Sequence, residues 1–281
     1  SLVYLRLIFP CCWFIWREDG EKLRPERKLQ RISRRVKISE KEGRFPMEKY
    51  DISSFEKGLA ALNVELSESQ IRQFLRYYEL LVEWNKVMNL TAITEYEEVI
   101  LRHFLDSLAS VKVWDFKNTD TVIDVGCGAG FPGIPLKIAF PNIRLNKRIR
   151  FLNQVVEELG LSEVKTIHGR AEDFARQKEY REQFDLVVSR AVANLSTLSE
   201  YCLPYVKVNG SFLAYKSGKI DEEVSAAQKA VKLLGGSPAR VVKFQLPDTD
   251  LDRSFVMVKK EKQTSQRFPR KAGMPGKEPL S

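Results

Sequence analysis

The chain has 281 residues, 43% of them apolar and 30% charged, with a formal net charge of +9. That length and balance suit two units, or one large domain with extensions, and exclude wholesale disorder, a collagen-like repeat and a disulfide scaffold. The four cysteines (Cys11, Cys12, Cys127, Cys202) form no C-x-x-C pair and have no histidine at metal-ligand spacing, so free thiols and no structural zinc are expected. The charge is +6 over residues 1–46, −2 over 47–258 and +5 over 259–281. Basic ends on a nearly neutral body suit a polyanion, nucleic acid before an anionic membrane.

Residues 2–16 (LVYLRLIFPCCWFIW) are apolar but broken by Arg6 and Pro10. The run is shorter than the roughly 20 residues of a spanning helix, and it lacks the charged start and small-residue cleavage site of a signal peptide. Residues 17–46 alternate charges without an apolar stripe, and 1–46 is expected to be an appended, disordered leader. From Met47 the pattern is helical. Ser67-x-x-Gln70 reads as a capping box, followed by Ile71, Phe74, Leu75, Tyr78, Leu81 and Val82 at helical spacing. A second helical segment covers about 95–113 through Val99, Leu101, Phe104, Leu105 and Leu108. Trp84, Tyr77 and Tyr78 are expected in the core on the same spacing, and Phe116–Asp120 reads as a linker.

Beyond it strands alternate with helices: strand 121–125, a glycine turn and a helix through Phe140, helix 147–160, and strands 164–167 and 184–189. Helix 196–207, strand 211–215, helix 221–234 and strands 240–246 and 254–259 complete the series. Such alternation predicts an α/β fold with a doubly wound, mostly parallel sheet that binds ligands at the carboxyl ends of its strands.

The strongest local signal is Asp124-Val-Gly126-x-Gly128-x-Gly130 between a strand and a helix. Glycines allow the tight turn and a close approach of backbone to ligand, and a helix start offers free N–H groups. Gly128-x-Gly130-x-x-Gly133 formally fits a dinucleotide fingerprint. Against it, Pro132 and Pro135 remove donors that a pyrophosphate needs, and no acidic residue ends a second strand about 20 residues on. Asp124 instead suits a cationic amino group, as on S-adenosylmethionine. A methyl donor is therefore favoured over NAD(P).

From Met47 to Leu280 the chain resembles the RsmG (GidB) family of 16S rRNA guanine-N7 methyltransferases. The resemblance is carried by Trp84-Asn-Lys-x-Met-Asn-Leu-Thr91, Arg102-His-Phe-Leu-Asp-Ser-Leu108 and Asp124-Val-Gly-Cys-Gly-Ala-Gly-Phe-Pro-Gly-Ile-Pro-Leu136. It continues through Asn146-Lys-Arg148, Gly169-Arg-Ala-Glu172, Ser189-Arg-Ala191 and Pro269-Arg-Lys-Ala-Gly-Met-Pro-Gly-Lys-Glu-Pro279. It implies a helical region over 47–118, a Rossmann-like S-adenosylmethionine-dependent methyltransferase domain over 119–260 and a basic tail over 261–281. By the family pattern Gly126 and Phe131 contact the donor, Ala171 and Glu172 flank its adenine, and Arg190 closes the pocket. Asp124, Gly128 and Gly130 shape the turn, and His103, Asp106 and Lys216 are candidates for substrate contact. The tail cations Lys259, Lys260, Lys262, Arg267, Arg270 and Lys271 resemble a phosphate-contacting segment. The implied partner is 16S rRNA or the 30S subunit, the implied state a cytoplasmic monomer without membrane contact.

Guanine N7 carries an in-plane lone pair, so its methylation asks for alignment and exclusion of water and for no general base. The fourth strand ends in Ser-Arg-Ala and lacks the Asn/Asp-Pro-Pro-aromatic motif of exocyclic-amine methyltransferases. Cys202 is in no Pro-Cys pair and reads as a buried helix thiol, and His168 reads as an ordinary histidine. One departure from the family stands out. Phe140-Pro-Asn-Ile-Arg-Leu145 runs straight into Asn146-Lys-Arg148, about six residues short. The gap is expected to remove the second strand and its terminal carboxylate, which holds the ribose hydroxyls. Competing readings are an RNA-binding protein with a degenerate pocket and an NAD(P)-dependent oxidoreductase.

Overall fold

A computed structural model describes residues 49–280 except 117–119, 127, 148, 149, 168, 191 and 192. The leader reading of 1–46, the linker centre, Cys127, His168 and parts of the Asn146–Arg148 and Ser189–Ala191 motifs lie outside the described residues. The chain divides into two units, Ser1–Asp51 and Ile52–Ser281, and the second holds the helices and the sheet that shape the candidate site.

Helix α1 (Ser53–Ala61) is short, and α2 (Glu68–Met88) is the long amphipathic helix its spacing predicts. Ser67 closes the expected capping box, accepting from Gln70 N while Gln70 Oε1 accepts from Ser67 N at 2.8 Å. Asn89 ends the helix in the left-handed conformation, which suits its short polar side chain. Tyr77 and Trp84 are buried, as expected, whereas Tyr78 is only half-buried. Next comes one continuous composite helix, here α3: Tyr96–Val99 in α geometry, Ile100–Leu105 in π geometry, Asp106–Leu108 in α and Ala109–Lys112 in 3-10 geometry. Phe104 of α3 packs on Phe74 of α2 at 5.0 Å between centroids, and Phe74 on Phe55 of α1 at 5.1 Å.

The remaining elements are β1 (Thr121–Asp124), α4 (Gly133–Ala139), β2 (Arg144–Lys147), α5 (Arg150–Glu158), β3 (Val164–Thr166) and α6 (Ala171–Phe174). They continue as β4 (Phe184–Arg190), α7 (Leu195–Cys202), β5 (Val206–Ser217), α8 (Asp221–Leu233), β6 (Arg240–Gln245), β7 (Asp252–Lys259) and α9 (Met274–Lys277). The sheet order is β3-β2-β1-β4-β5-β7-β6, and β7 runs opposite to the other six strands. The order reverses between β1 and β4, which places the ligand crevice at their carboxyl ends. Helix α2 locks onto the β1–β3 half by side-chain amides. Gln70 Nε2 donates to Ile138 O at 2.7 Å and Gln73 Nε2 to Leu159 O at 2.7 Å, and Arg76 pairs with Glu158 at 2.5 Å.

Two expectations are overturned by these elements. The second strand is present: Arg144–Lys147 pairs in parallel with both β1 and β3, with Ile143 and Leu145 buried. Asn146 and Lys147, read from the sequence as the opening of the next helix, extend the strand, and α5 begins at Arg150. The sheet thus keeps its ladder, and what the short segment lacks is an acidic residue at the strand's end.

The second correction concerns the tail. Lys260 is wholly buried and donates to Leu203 O and Thr264 Oγ1, both at 2.6 Å, beside Glu182 at 3.2 Å. Burial pulls its amine down to about 8 despite that carboxylate. Arg270 is forked onto the wholly buried Glu200, with Nη2–Oε2 at 2.7 Å. Both cations hold the tail on the body, and neither is left to meet phosphate. Lys259, Lys262, Arg267 and Lys271 stay exposed. Burial, with the charge of Asp124 adding to it, pushes the Cys202 thiol far up, in keeping with a structural cysteine.

Candidate active site

The glycine turn is closed by its own aspartate. Asp124, 2% exposed at the end of β1, accepts from Gly133 N through Oδ2 at 2.9 Å. Gly126, Gly128 and Gly130 have φ of 84°, 51° and 110°, all in the region that side chains avoid. At Gly130 space is also missing: a Cβ would lie 2.5 Å from Tyr77 Oη, whose hydroxyl donates to Ala129 O at 2.7 Å. Across the switch point Ser189 Oγ donates to Val125 O at 2.7 Å.

Donor accounting along this turn decides between the two cofactors. Pro132 and Pro135 have no N–H, Gly133 N is taken by Asp124, and Ile134 N donates to Gly130 O at 2.9 Å. A pyrophosphate finds no donor at 132–135, which counts against the dinucleotide reading. Beside the turn opens a mainly apolar cleft, lined among others by Asp124, Gly126, Ile167, Ala171, Phe174 and Tyr205. Its walls suit a flat apolar-faced base with few polar contacts.

A second cluster is built around Arg190 at the end of β4. Its Nη1 donates to Asp106 Oδ2 at 3.0 Å and Arg102 O at 3.1 Å, and its Nη2 lies 3.1 Å from His103 Nδ1. Its guanidinium also sits 5.0 Å from the centre of the Phe131 ring, on which His103 stacks at 4.3 Å and 18°. The other oxygen of Asp106 accepts from Arg253 Nε on β7 at 2.8 Å. His103 Nδ1 lies 3.1 Å from both the donor Arg190 Nη2 and the acceptor Arg102 O, and Nε2 lies 3.0 Å from Thr91 Oγ1, so both ring nitrogens are engaged in either neutral tautomer. Burial and the neighbouring Arg190 push the imidazole down to about 3.

The predicted residues therefore separate into groups. Asp124, Gly126 and Ala171 line the cleft; His103, Asp106, Phe131 and Arg190 form the adjoining cluster. Glu172, 6% exposed, turns its Oε1 to Gly273 N of the tail at 2.8 Å, and Tyr205 Oη holds Ala171 O at 2.6 Å. Lys216 stands apart, its Nζ on Ala193 O at 2.8 Å and Glu223 Oε1 at 2.6 Å. Sequence reasoning misses Arg253 and Tyr205, since each is a single residue in a strand or turn without periodic signature. Thr91 closes the Trp84–Thr91 motif, but nothing in that motif signals that it faces His103.

A doubly wound sheet whose first strand enters a donor-poor glycine turn beside an apolar cleft defines a Rossmann-like S-adenosylmethionine-dependent methyltransferase. The family model described as GidB, rRNA small subunit methyltransferase G, matches residues 70–255. A ribosomal RNA small subunit methyltransferase G of Lachnoclostridium phytofermentans is 53% identical over 236 residues, covering 82% of this chain and 98% of that protein. Proteins of the same name from an Exiguobacterium species and Bacillus licheniformis are 51% and 49% identical over 234 and 236 residues. They cover 81% and 82% of this chain and 98% and 99% of their own lengths. The chain belongs to the rRNA small subunit methyltransferase G family.

Proposed function

We propose that this chain transfers the methyl group of S-adenosylmethionine to N7 of one guanine in 16S rRNA, as a cytoplasmic monomer acting on the small subunit. The observation that carries the reading is the state of the titratable groups beside the cleft. Both oxygens of Asp106 are engaged by guanidinium groups, and His103 is held neutral with both ring nitrogens occupied. Neither side chain is poised to take a proton, which suits a nucleophile whose lone pair is already free.

When bound, the donor supplies an electrophilic methyl on a sulfonium, so the protein's task is alignment. Gly126 and Phe131 would contact the donor, Ala171 and Glu172 would border its adenine, and Arg190 would close the pocket. His103 and Asp106 would act through Arg190, which they fix in place. The exposed tail cations would add phosphate contacts that weaken with salt, whereas Lys216, its amine held by Ala193 O and Glu223, would act by fixing the end of β5. The residues fit the adenine end better than the ribose, for no acidic residue follows β2 before Glu157. Among the described residues no helix is long and apolar enough to cross a membrane.

The test is transfer of a labelled methyl to 30S subunits from a strain lacking the modification, with the site mapped by cleavage at N7-methylguanine. One labelled guanine is expected. No transfer, with a family relative active alongside, overturns the reading in favour of an RNA-binding protein with a degenerate pocket.

A further inference from the structure

The carboxyl-terminal tail is wired to the same short segment that borders the cleft. Gly273 N donates to Glu172 Oε1 at 2.8 Å, and Glu172 directly follows Ala171, which lines the cleft. Two further ties bring Gly273 to that position. Arg270 is forked onto Glu200 of α7, and its own backbone N–H donates to Glu200 Oε1 at 2.7 Å. Beyond Gly273, Thr197 Oγ1 of α7 donates to Pro275 O at 2.9 Å. On the amino-terminal side Phe268 is sunk in the core at 4% exposure. Gly273 adopts φ of 87°, with the nearest atom to a Cβ 3.6 Å away. Room for a side chain exists there, but the backbone conformation excludes most residues.

The ties to Glu200 and Thr197 fix the tail on either side of Gly273, whose own bond ends on Glu172, a carboxylate only 6% exposed. A buried carboxylate that loses a hydrogen-bond donor must find another by moving. Glu172 would then carry the first turn of α6 with it, against the bond from Tyr205 that holds Ala171. We propose that residues 268–277 form a clasp that positions Ala171–Glu172 for the adenosine end of the methyl donor, with Gly273 and Arg270 as its positioning residues. The inference rests on the cleft being the donor site.

The test compares Gly273→Val with Gly273→Asn in the full chain. Asparagine tolerates the left-handed backbone and keeps the N–H in place, whereas valine does not. S-adenosylhomocysteine titrated by calorimetry should bind Gly273→Val about tenfold more weakly and Gly273→Asn within about twofold of the unaltered chain. In turnover the KM for S-adenosylmethionine should rise and the KM for 30S subunits stay put, a split that general loosening would not give. Equal binding by all three chains, equal weakening by both variants, or a rise confined to the KM for subunits would each overturn the clasp. Should Gly273→Val fail to fold, Thr197→Val removes only the hydroxyl on Pro275 O. About threefold weaker binding is then expected, and unchanged binding overturns the proposal. Failure of the unaltered chain to bind S-adenosylhomocysteine removes the donor-site reading itself, and the clasp with it.

Discussion

His103, a candidate for substrate contact on its motif, sits in the structure as a buried member of the Arg190 cluster. It stacks on Phe131, and burial together with the charge of Arg190 leaves it neutral, pulled from 6.5 to about 3. The unfolded chain therefore takes up a proton between pH 6.5 and 3 that the folded chain refuses. Stability held above pH 6.5 drains away as the pH falls through that window, by on the order of a few kcal/mol. Urea unfolding should show the unaltered chain losing stability faster from pH 6.5 to 4.5 than His103→Gln; parallel curves would refute the neutral assignment. The segment Arg102–Leu108 was visible as a motif, which made His103 and Asp106 candidates. Its meaning was not, because the second partner of Asp106 lies 147 positions away on β7.

At the scale of elements, α3 shows what periodicity can and cannot reveal. Its extent, about 95–113, follows from apolar spacing; the π stretch Ile100–Leu105 does not, since an i to i+5 ladder leaves too small an offset in so short a segment. That stretch and the Asp106 that follows it present Arg102 O, His103 and the Asp106 carboxylate to Arg190, while Phe104 packs among Phe74, Tyr77 and Phe131. Phe104 is thus the joint between the helical region and the glycine turn. Phe104→Ala should cost about 3–5 kcal/mol in denaturant unfolding, and S-adenosylhomocysteine affinity should fall with it because Phe131 loses a wall. A variant with that stability loss but full affinity would show that the aromatic cluster does not set the turn.

Across the whole molecule, the alternation of strands and helices is legible because most strands are short apolar runs bounded by turn residues, although β5 extends to Val206–Ser217, past the expected 211–215 and into the end of the expected helix 196–207. Strand β2 is not legible, since Arg144–Lys147 carries only one buried apolar residue of its own, Leu145, and owes its strand state to β1 and β3 on either side. The folded tail was hidden for a related reason: its cations look like phosphate ligands until Glu182 and Glu200, distant in sequence, are found beneath them. The presence of β2 sharpens the consequence of the short segment. With the ladder intact, the cost of the departure reduces to one missing carboxylate after β2, where we propose that the ribose of the donor sits. A charged hydrogen bond of that kind contributes a few kcal/mol, so the donor should bind roughly a hundredfold more weakly than to a relative that keeps the acidic residue. The fold and the RNA surface should be unaffected. Calorimetry with S-adenosylhomocysteine on both proteins, alongside their thermal unfolding, separates these terms. Matched melting with weakened binding is the expected pair of results, whereas equal affinity would mean that the ribose is held by groups other than a carboxylate after β2.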